Sequence, residues 1–577
     1  MQIKTCLEEK KYDDNTGEYD FTTYDVGTDS VKKDYSYDED SLRRLKEINL
    51  TYNTTLLLHM TFDYDDHHVD ASMGNATTRI YKITYGLVNS TDDFNYEYYY
   101  DDIGNIVEII VKDYADIITE KYSYEYDSYN RLIREDIYFI SSTDSTSISY
   151  TYDVLGNITN IKNYSYTTGS LLGTPISEKV LTYGNSLLGY NDTQLYTIVY
   201  KENGVQTGTT TYSYDDSGNP SNIEVSGNQY AYEYEGRRLI GVNFGTTLNT
   251  TYAYNDQGIR VYKSTDDHEY EYILDGDLVV IEIIDETDYI YYTYDVNNTL
   301  ISMCYNGIEY YYLSDTQGNI IGLMDQSGDI VVEYRYDAWG NIINWDDISS
   351  NPIARINPYR YRGYRYDEEL NLYYLQSRYY DPSIGRFLNI DDTSYLSDDT
   401  SSSLNLYAYA VNNPVMYSDI SGEFPVLITI AAIAYTSWAV HDIYQIASGN
   451  VVFIPDDENE GGVIENSYKV QNPTVIYGYS IYLRYFSDNK DCFDGSAAGI
   501  ASEWIVHNAA FDLSYIPSKL GFLGRQNEQA MHANFGKTVF DDGRWYVEIP
   551  SASVEFIINP YAYIYDIYQE IRKNIGD

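Results

Sequence analysis

Glu503 and His507 lie four residues apart in the segment GSAAGIASEWIVHNAAFDL, which begins at Gly495. Ala498, Ala501, Ile505 and Ala509 form an apolar stripe at helical spacing, so the spacing predicts a helix with Glu503 and His507 on one face. A carboxylate beside an imidazole can orient it as a general base. With His532 as a third donor, the same set can ligate a metal. Such a helical pair is more often a plain packing contact, and it departs from H-E-x-x-H, which needs two histidines on one helix face. Acidic turns such as Tyr214-Asp215-Asp216 suit calcium but are more often simply solvated, so the sequence calls for no cofactor. Cys6, Cys304 and Cys492 are odd in number and far apart, which gives neither a disulfide framework nor a zinc spacing.

The elements that must position these residues belong to a chain of 577 residues, too long for one compact core. It carries 37 basic and 89 acidic residues, a net charge of 37 − 89 = −52. That charge argues against a nucleic-acid partner, which needs a basic face, and against electrostatic docking on an anionic membrane. Hydrophobic residues make up 43%, enough for a folded chain. There are 72 tyrosines against 15 phenylalanines. Tyrosine favours strands and carries a polar tip, so the chain is expected to be mainly β, with surfaces neither fully dry nor fully wet.

A repeated unit organises the first two thirds. Its best copies are YYDDIGNIVEI from Tyr99, YTYDVLGNITNI from Tyr150, YSYDDSGNPSNI from Tyr212 and YRYDAWGNIINW from Tyr334. Degenerate copies include YEYDSYNRLIRE from Tyr124 and YAYNDQGIRVY from Tyr252. Tyr-x-Tyr gives the strand one aromatic face. The Asp can accept from backbone N–H groups of the turn, and Gly-Asn tolerates the positive φ of a tight hairpin. One hairpin cannot bury an aromatic face alone, so the units are expected to join into one long sheet.

These units resemble the YD repeats of the RHS/YD-repeat proteins. The resemblance sharpens over Asn357–Gly422, which reads NPYRYRGYRYDEELNLYYLQSRYYDPSIGRFLNIDD and, after a Ser/Asp-rich insert, NLYAYAVNNPVMYSDISG. This is similar to the RHS-repeat-associated core domain. The resemblance implies YD-repeat hairpins wound as one long curved antiparallel sheet, a partial or complete hollow shell. The core domain would close it, and a small α+β C-terminal domain, in this family often a toxin, would follow. It further implies aspartic autoproteolysis just after the last Asp-Pro-x-Gly of the core, with Asp391 and Asp419 as the carboxylate pair, Arg386 beside them, and scission after Gly422, near Glu423–Phe424. This sequence has Asp391-Asp392 and Asp419-Ile420 where the family pattern has Asp-Pro. Read without the resemblance, Asp391 and Asp419 are equally suited to capping turns.

After Gly422 the repeat stops. FPVLITIAAIAYTSWAV, residues 424–440, has no charge and sits at the lower limit of a membrane span. It reads as a buried helix, as a membrane contact, or as the first and then the second. Residues 424–577 carry 9 basic and 19 acidic residues, a net of 9 − 19 = −10, which does not suit a nucleic-acid binder. The expected divisions are a lead-in at 1–30, a YD-repeat β-shell at 31–345, the core domain at 346–422 and a variable effector-like domain at 423–577. The resemblance implies a polymorphic-toxin-type protein of bacterial competition, secreted or at the cell surface, whose shell encloses and delivers that effector. Its partners would be an immunity protein and a secretion or cage-completing protein. MQIKTCLEEKKYDDN shows no Sec-type signal peptide. Two alternatives stand beside this: a non-toxic cell-surface or structural interaction protein anchored by 424–440, and a fragment of a larger RHS cage.

Overall fold

A computed structural model describes residues 8–427 and the strand pair Thr538–Asp541 and Arg544–Val547, with breaks at 13–18, 27–28, 38–43, 65–78, 89, 102, 141–143, 172, 244–248, 296–297, 350–351, 392–404, 420 and 423–425. Thr22–Asp101 and Asn105–Ala432 belong to one compact unit. The strand pair belongs to another.

The chain is mainly β. A sheet of 28 strands runs from Glu8–Tyr12 to Ile342–Asp347. From Asp29–Tyr37 onward each strand pairs antiparallel with the next in sequence, as in Tyr99↔Glu108 and Arg335↔Asn344. Among the described residues no pairing joins the first strand to the last.

The YD unit accounts for this meander. In four copies the Asp clamps its own turn with the same set of bonds. Its Oδ1 accepts the N–H groups two and four residues on, at Asp153, Asp215, Asp315 and Asp337. Its Oδ2 accepts from the side chain of the Asn that follows Gly, at 2.7–2.9 Å. The Gly between them has positive φ, 79° at Gly156 and 91° at Gly340. Carboxylate and amide thus satisfy a turn that cannot satisfy itself. The acidic turns of the sequence are therefore hydrogen-bonded turn locks.

The tyrosine excess has a structural cause between neighbouring hairpins. Tyr64, Tyr100, Tyr126, Tyr152, Tyr214, Tyr254, Tyr294 and Tyr336 each stand just before an Asp or Asn in the sequence. Each hydroxyl donates to a backbone carbonyl in an earlier return strand, from Leu45 to Ile320, at 2.5–2.9 Å. Phenylalanine would pack there but leave that carbonyl short of a donor. Beside the same tyrosine the register slips by one residue, as at Thr151/Tyr152, Ser213/Tyr214 and Arg335/Tyr336. Recurrent bulges bend and twist a sheet, which gives this one its curvature.

Early and late strands bury their aromatic faces against each other. Tyr85 donates to the Ser314 carbonyl at 2.8 Å, Lys33 meets Asp295 at 3.1 Å, and Glu135 accepts from the Ala338 N–H at 2.7 Å. Strands between Leu181 and Tyr252 pack instead on Leu372, Tyr374 and Tyr379 of the following segment.

That segment, from Ile353 to Gly422, forms a four-stranded sheet of Arg365–Asp367, Leu372–Leu375, Arg378–Asp381 and Arg386–Phe387. Its side chains grip the YD turns. Tyr361, Tyr380 and Tyr373 donate to the carbonyls of Ala338, Trp339 and Gly340, and Tyr407 to that of Gly218. Asn412 donates to Gly156 and Asn413 to Asn105. Buried ion pairs join it to the wall: Arg260 with Asp367 at 2.5 Å, and Arg365 with Glu282 at 2.8 Å. Burial works to raise the Asp367 carboxyl, but Arg260 and then Lys263 outweigh it and hold it down to about 2.

Candidate functional site

Asp391 and Asp419 stand 28 residues apart in the chain (419 − 391) and meet at one side chain, Arg378. Its Nη2 lies 2.9 Å from Asp391 Oδ2 and 3.1 Å from Asp419 Oδ2. All three residues are buried, Asp419 at 1% exposure. Arg378 begins the strand Arg378–Asp381, whose pairing with Leu372–Leu375 and Arg386–Phe387 fixes its backbone. Its guanidinium lies 3.5 Å from the centroid of the Phe387 ring. Nη1 donates to the Leu406 carbonyl at 3.1 Å. Burial lowers the affinity of this guanidinium for its proton, and the two carboxylates oppose that effect.

The remaining donor, Nε, points at the carbonyl of Gly422 in a short hydrogen bond. One buried guanidinium therefore touches both carboxylates and the carbonyl of the bond at which scission is expected. Of two carboxyl groups held at one cation, the ionised one can take a proton from a water while the protonated one gives a proton to the leaving nitrogen. A cationic donor on a carbonyl oxygen stabilises the charge that develops there when a nucleophile adds. Tyr364 completes the frame: its hydroxyl accepts the Asp419 N–H at 2.9 Å and meets the Tyr409 hydroxyl at 3.1 Å.

Arg386 lies elsewhere. Its guanidinium sits over the rings of Tyr407 at 4.7 Å and Tyr183 at 5.0 Å and donates to the Thr193 carbonyl at 2.8 Å. Arg378 is the arginine that sequence reasoning passed over, although it stands in the quoted run SRYYDP. Glu423 and Phe424, the far side of the expected cut, lie outside the described residues, as do Glu503, His507 and His532. Of the apolar segment 424–440, Val426 and Leu427 are described. These two form a strand paired with Tyr417–Ser418. No helix among the described residues is long and apolar enough to cross a membrane.

A family model for the Teneurin YD-shell matches residues 18–415. The chain belongs to the Teneurin YD-shell family. Curated relatives of this YD-shell chain include the tRNA nuclease WapA of Bacillus subtilis (strain 168), 44% identical over 108 residues, which are 19% of this chain and 4% of that protein. The toxin protein Tse5 of Pseudomonas aeruginosa is 33% identical over 91 residues, 16% of this chain and 6% of that protein. The matched parts are a small fraction of those longer proteins. A crystal structure of TcdB2-TccC3-Cdc42 is similar at a TM-score of 0.48 and 17% identity, over 71% of this chain and 21% of that one.

Proposed function

We propose that this YD-shell chain carries a C-terminal effector and cuts it free by aspartic autoproteolysis after Gly422. The observation that carries the reading is the meeting of Asp391, Asp419 and the Gly422 carbonyl at the guanidinium of Arg378. One carboxylate takes a proton from water as the water oxygen adds to the Gly422 carbonyl carbon. Arg378 Nε stabilises the oxygen charge. The other, held as the carboxylic acid, gives its proton to the Glu423 nitrogen as the C–N bond breaks, leaving a Gly422 carboxyl and a Glu423 amine. The names of WapA and Tse5, a nuclease and a toxin, support an effector role for the released part. On this reading the protein acts outside the producing cell, at its surface or after secretion. The partners it needs are an immunity protein against residues 423–577 and a protein that exports or completes the shell.

Intact mass of the expressed full chain tests the reading. We expect two fragments divided after Gly422 in the wild type and one full-length species for Asp391→Asn. A wild type that stays whole and matches Asp391→Asn sinks the proposal.

A further inference from the structure

The chain on the near side of the cut lies against the turn that joins Leu372–Leu375 to Arg378–Asp381. That turn is narrow: Leu375 faces Arg378 in register, Gln376 has φ 59°, and the Ser377 N–H donates to the Leu375 carbonyl at 2.7 Å. The Ser421 carbonyl accepts from Ser377 twice, from the N–H at 3.1 Å and from the hydroxyl at 2.7 Å. The next carbonyl, that of Gly422, accepts from Arg378 Nε. Two consecutive carbonyls are thus held by two consecutive residues of the turn.

Gly422 fills this space with nothing to spare. A Cβ there would come to 2.7 Å from the Leu375 carbonyl oxygen, 2.7 Å from Ser377 Oγ and 3.1 Å from the Arg378 nitrogen. Two of those three atoms are backbone and cannot swing aside. The φ of Gly422 is 75°, which L-residues with a side chain rarely adopt. By contrast, the contact at Ser421 is made through its main-chain carbonyl, so it reads no side chain.

We propose that the Ser377–Arg378 turn is a glycine-selective slot that seats the residue preceding the cut bond, with Ser377 as its positioning residue. This rests on the autoproteolysis reading. Ser377 does not touch the reacting carbonyl. By fixing the Ser421 carbonyl it sets the position of the Gly422 carbonyl carbon against Asp391, Asp419 and Arg378. The substrate class follows from the slot: a segment of this same chain that bends at a glycine before the cut and has no side-chain requirement one residue earlier.

Pulse–chase of the full chain in cell-free translation, scoring the loss of full-length product, tests this. Gly422→Ala should abolish cutting. Ser377→Ala removes one of two donors on the Ser421 carbonyl and should slow cutting by roughly tenfold to a hundredfold, the scale of a small misplacement of reacting groups. Ser377→Thr keeps the hydroxyl and should restore the rate to near that of wild type, a rescue that a mere packing role would not give. If the wild type is cut and either Gly422→Ala is cut equally fast or Ser377→Ala equals Ser377→Thr, the slot is overturned while the protease reading stands. A wild type that stays whole, like Asp391→Asn, overturns both.

Discussion

Removing a single hydroxyl, in Tyr126→Phe, should loosen the wall at one seam. Tyr126 donates to the Ile106 carbonyl at 2.6 Å, and its ring packs on the aromatic core. Phenylalanine keeps the ring contacts, so the change isolates one hydrogen bond. Such a bond contributes about 1 kcal/mol net, and up to about 3 kcal/mol when the abandoned carbonyl finds no water. In a chain of 577 residues that moves the melting temperature by only a degree or two, so global melting is a poor readout. Native-state hydrogen exchange reads the seam directly. Amides of Ile106–Asp113, paired with Ile118–Tyr126, should exchange roughly fivefold faster, the factor that ~1 kcal/mol sets. Tyr99→Phe is the control, because its hydroxyl meets the side chains of Tyr81 and, at 3.1 Å, Glu97 rather than a backbone carbonyl, and its side chain is more exposed. That change should stay within about 0.5 kcal/mol. Equal exchange in Tyr126→Phe, Tyr99→Phe and wild type would show that the hydroxyl ladder does not hold the strands, and the account of the tyrosine excess would fall.

Burial, and then the neighbouring Asp337 charge, pushes the Glu135 carboxyl well above the ordinary range, and desolvation pushes Asp337 up to about 6. Both hold protons in the fold that they lose at pH ~4 when unfolded. The stability that these two protons contribute is therefore complete below pH ~4 and falls as pH rises through about 6, by at most about 1.4 kcal/mol per pH unit for each proton. Glu135→Gln keeps an acceptor for the Ala338 N–H and should flatten that decline in urea titrations run from pH 4 to 7. Arg260→Met leaves Asp367 buried with Lys263 alone and should cost about 3–5 kcal/mol by denaturant midpoint, whereas Arg260→Met with Asp367→Leu should recover much of the loss. Gly340→Ala drives a Cβ to 2.5 Å from the Tyr361 ring and should abolish soluble expression, while Gly276→Ala meets nothing within 4 Å and should cost about 1 kcal/mol. Expression of residues 424–577 in a bacterial host should arrest growth; harmless recovery in the membrane fraction would favour the anchor instead.

The wall was legible because each turn carries its own instructions. Asp, Gly and Asn sit within five residues of one another, and their bonds are local, so a linear sequence suffices to place them. The tyrosine ladder was half legible: Tyr-x-Tyr announced an aromatic face, but not that the hydroxyl reaches a strand some twenty residues back, as Tyr126 reaches Ile106. Asp391 and Asp419 were found through the core motif, and their convergence followed from the fold. Arg386, five residues before Asp391 in the same motif, is the companion that the core pattern suggests. In the sheet, Arg386 pairs with Asp381 and its guanidinium turns to Tyr183 and Tyr407. Arg378 lies 41 residues before Asp419 (419 − 378) and no spacing rule connects them. Only the pairing of three short strands brings its side chain between the carboxylates.

The hydroxyl-to-carbonyl bond that ends eight of the hairpins has a consequence for how such chains lengthen. Each of these eight hairpins offers a hydroxyl to a carbonyl of its predecessor, so those joints are chemically alike. Excising one whole hairpin should bring two compatible faces together, while excising half of one would leave a joint with two donors or none. Chain growth is then quantised. Where the tyrosines and asparagines of Tyr361–Asn413 hold particular turns, such as those at Gly156, Gly218 and Gly340, the count is pinned, and variation in length should fall on hairpins that this clasp does not reach.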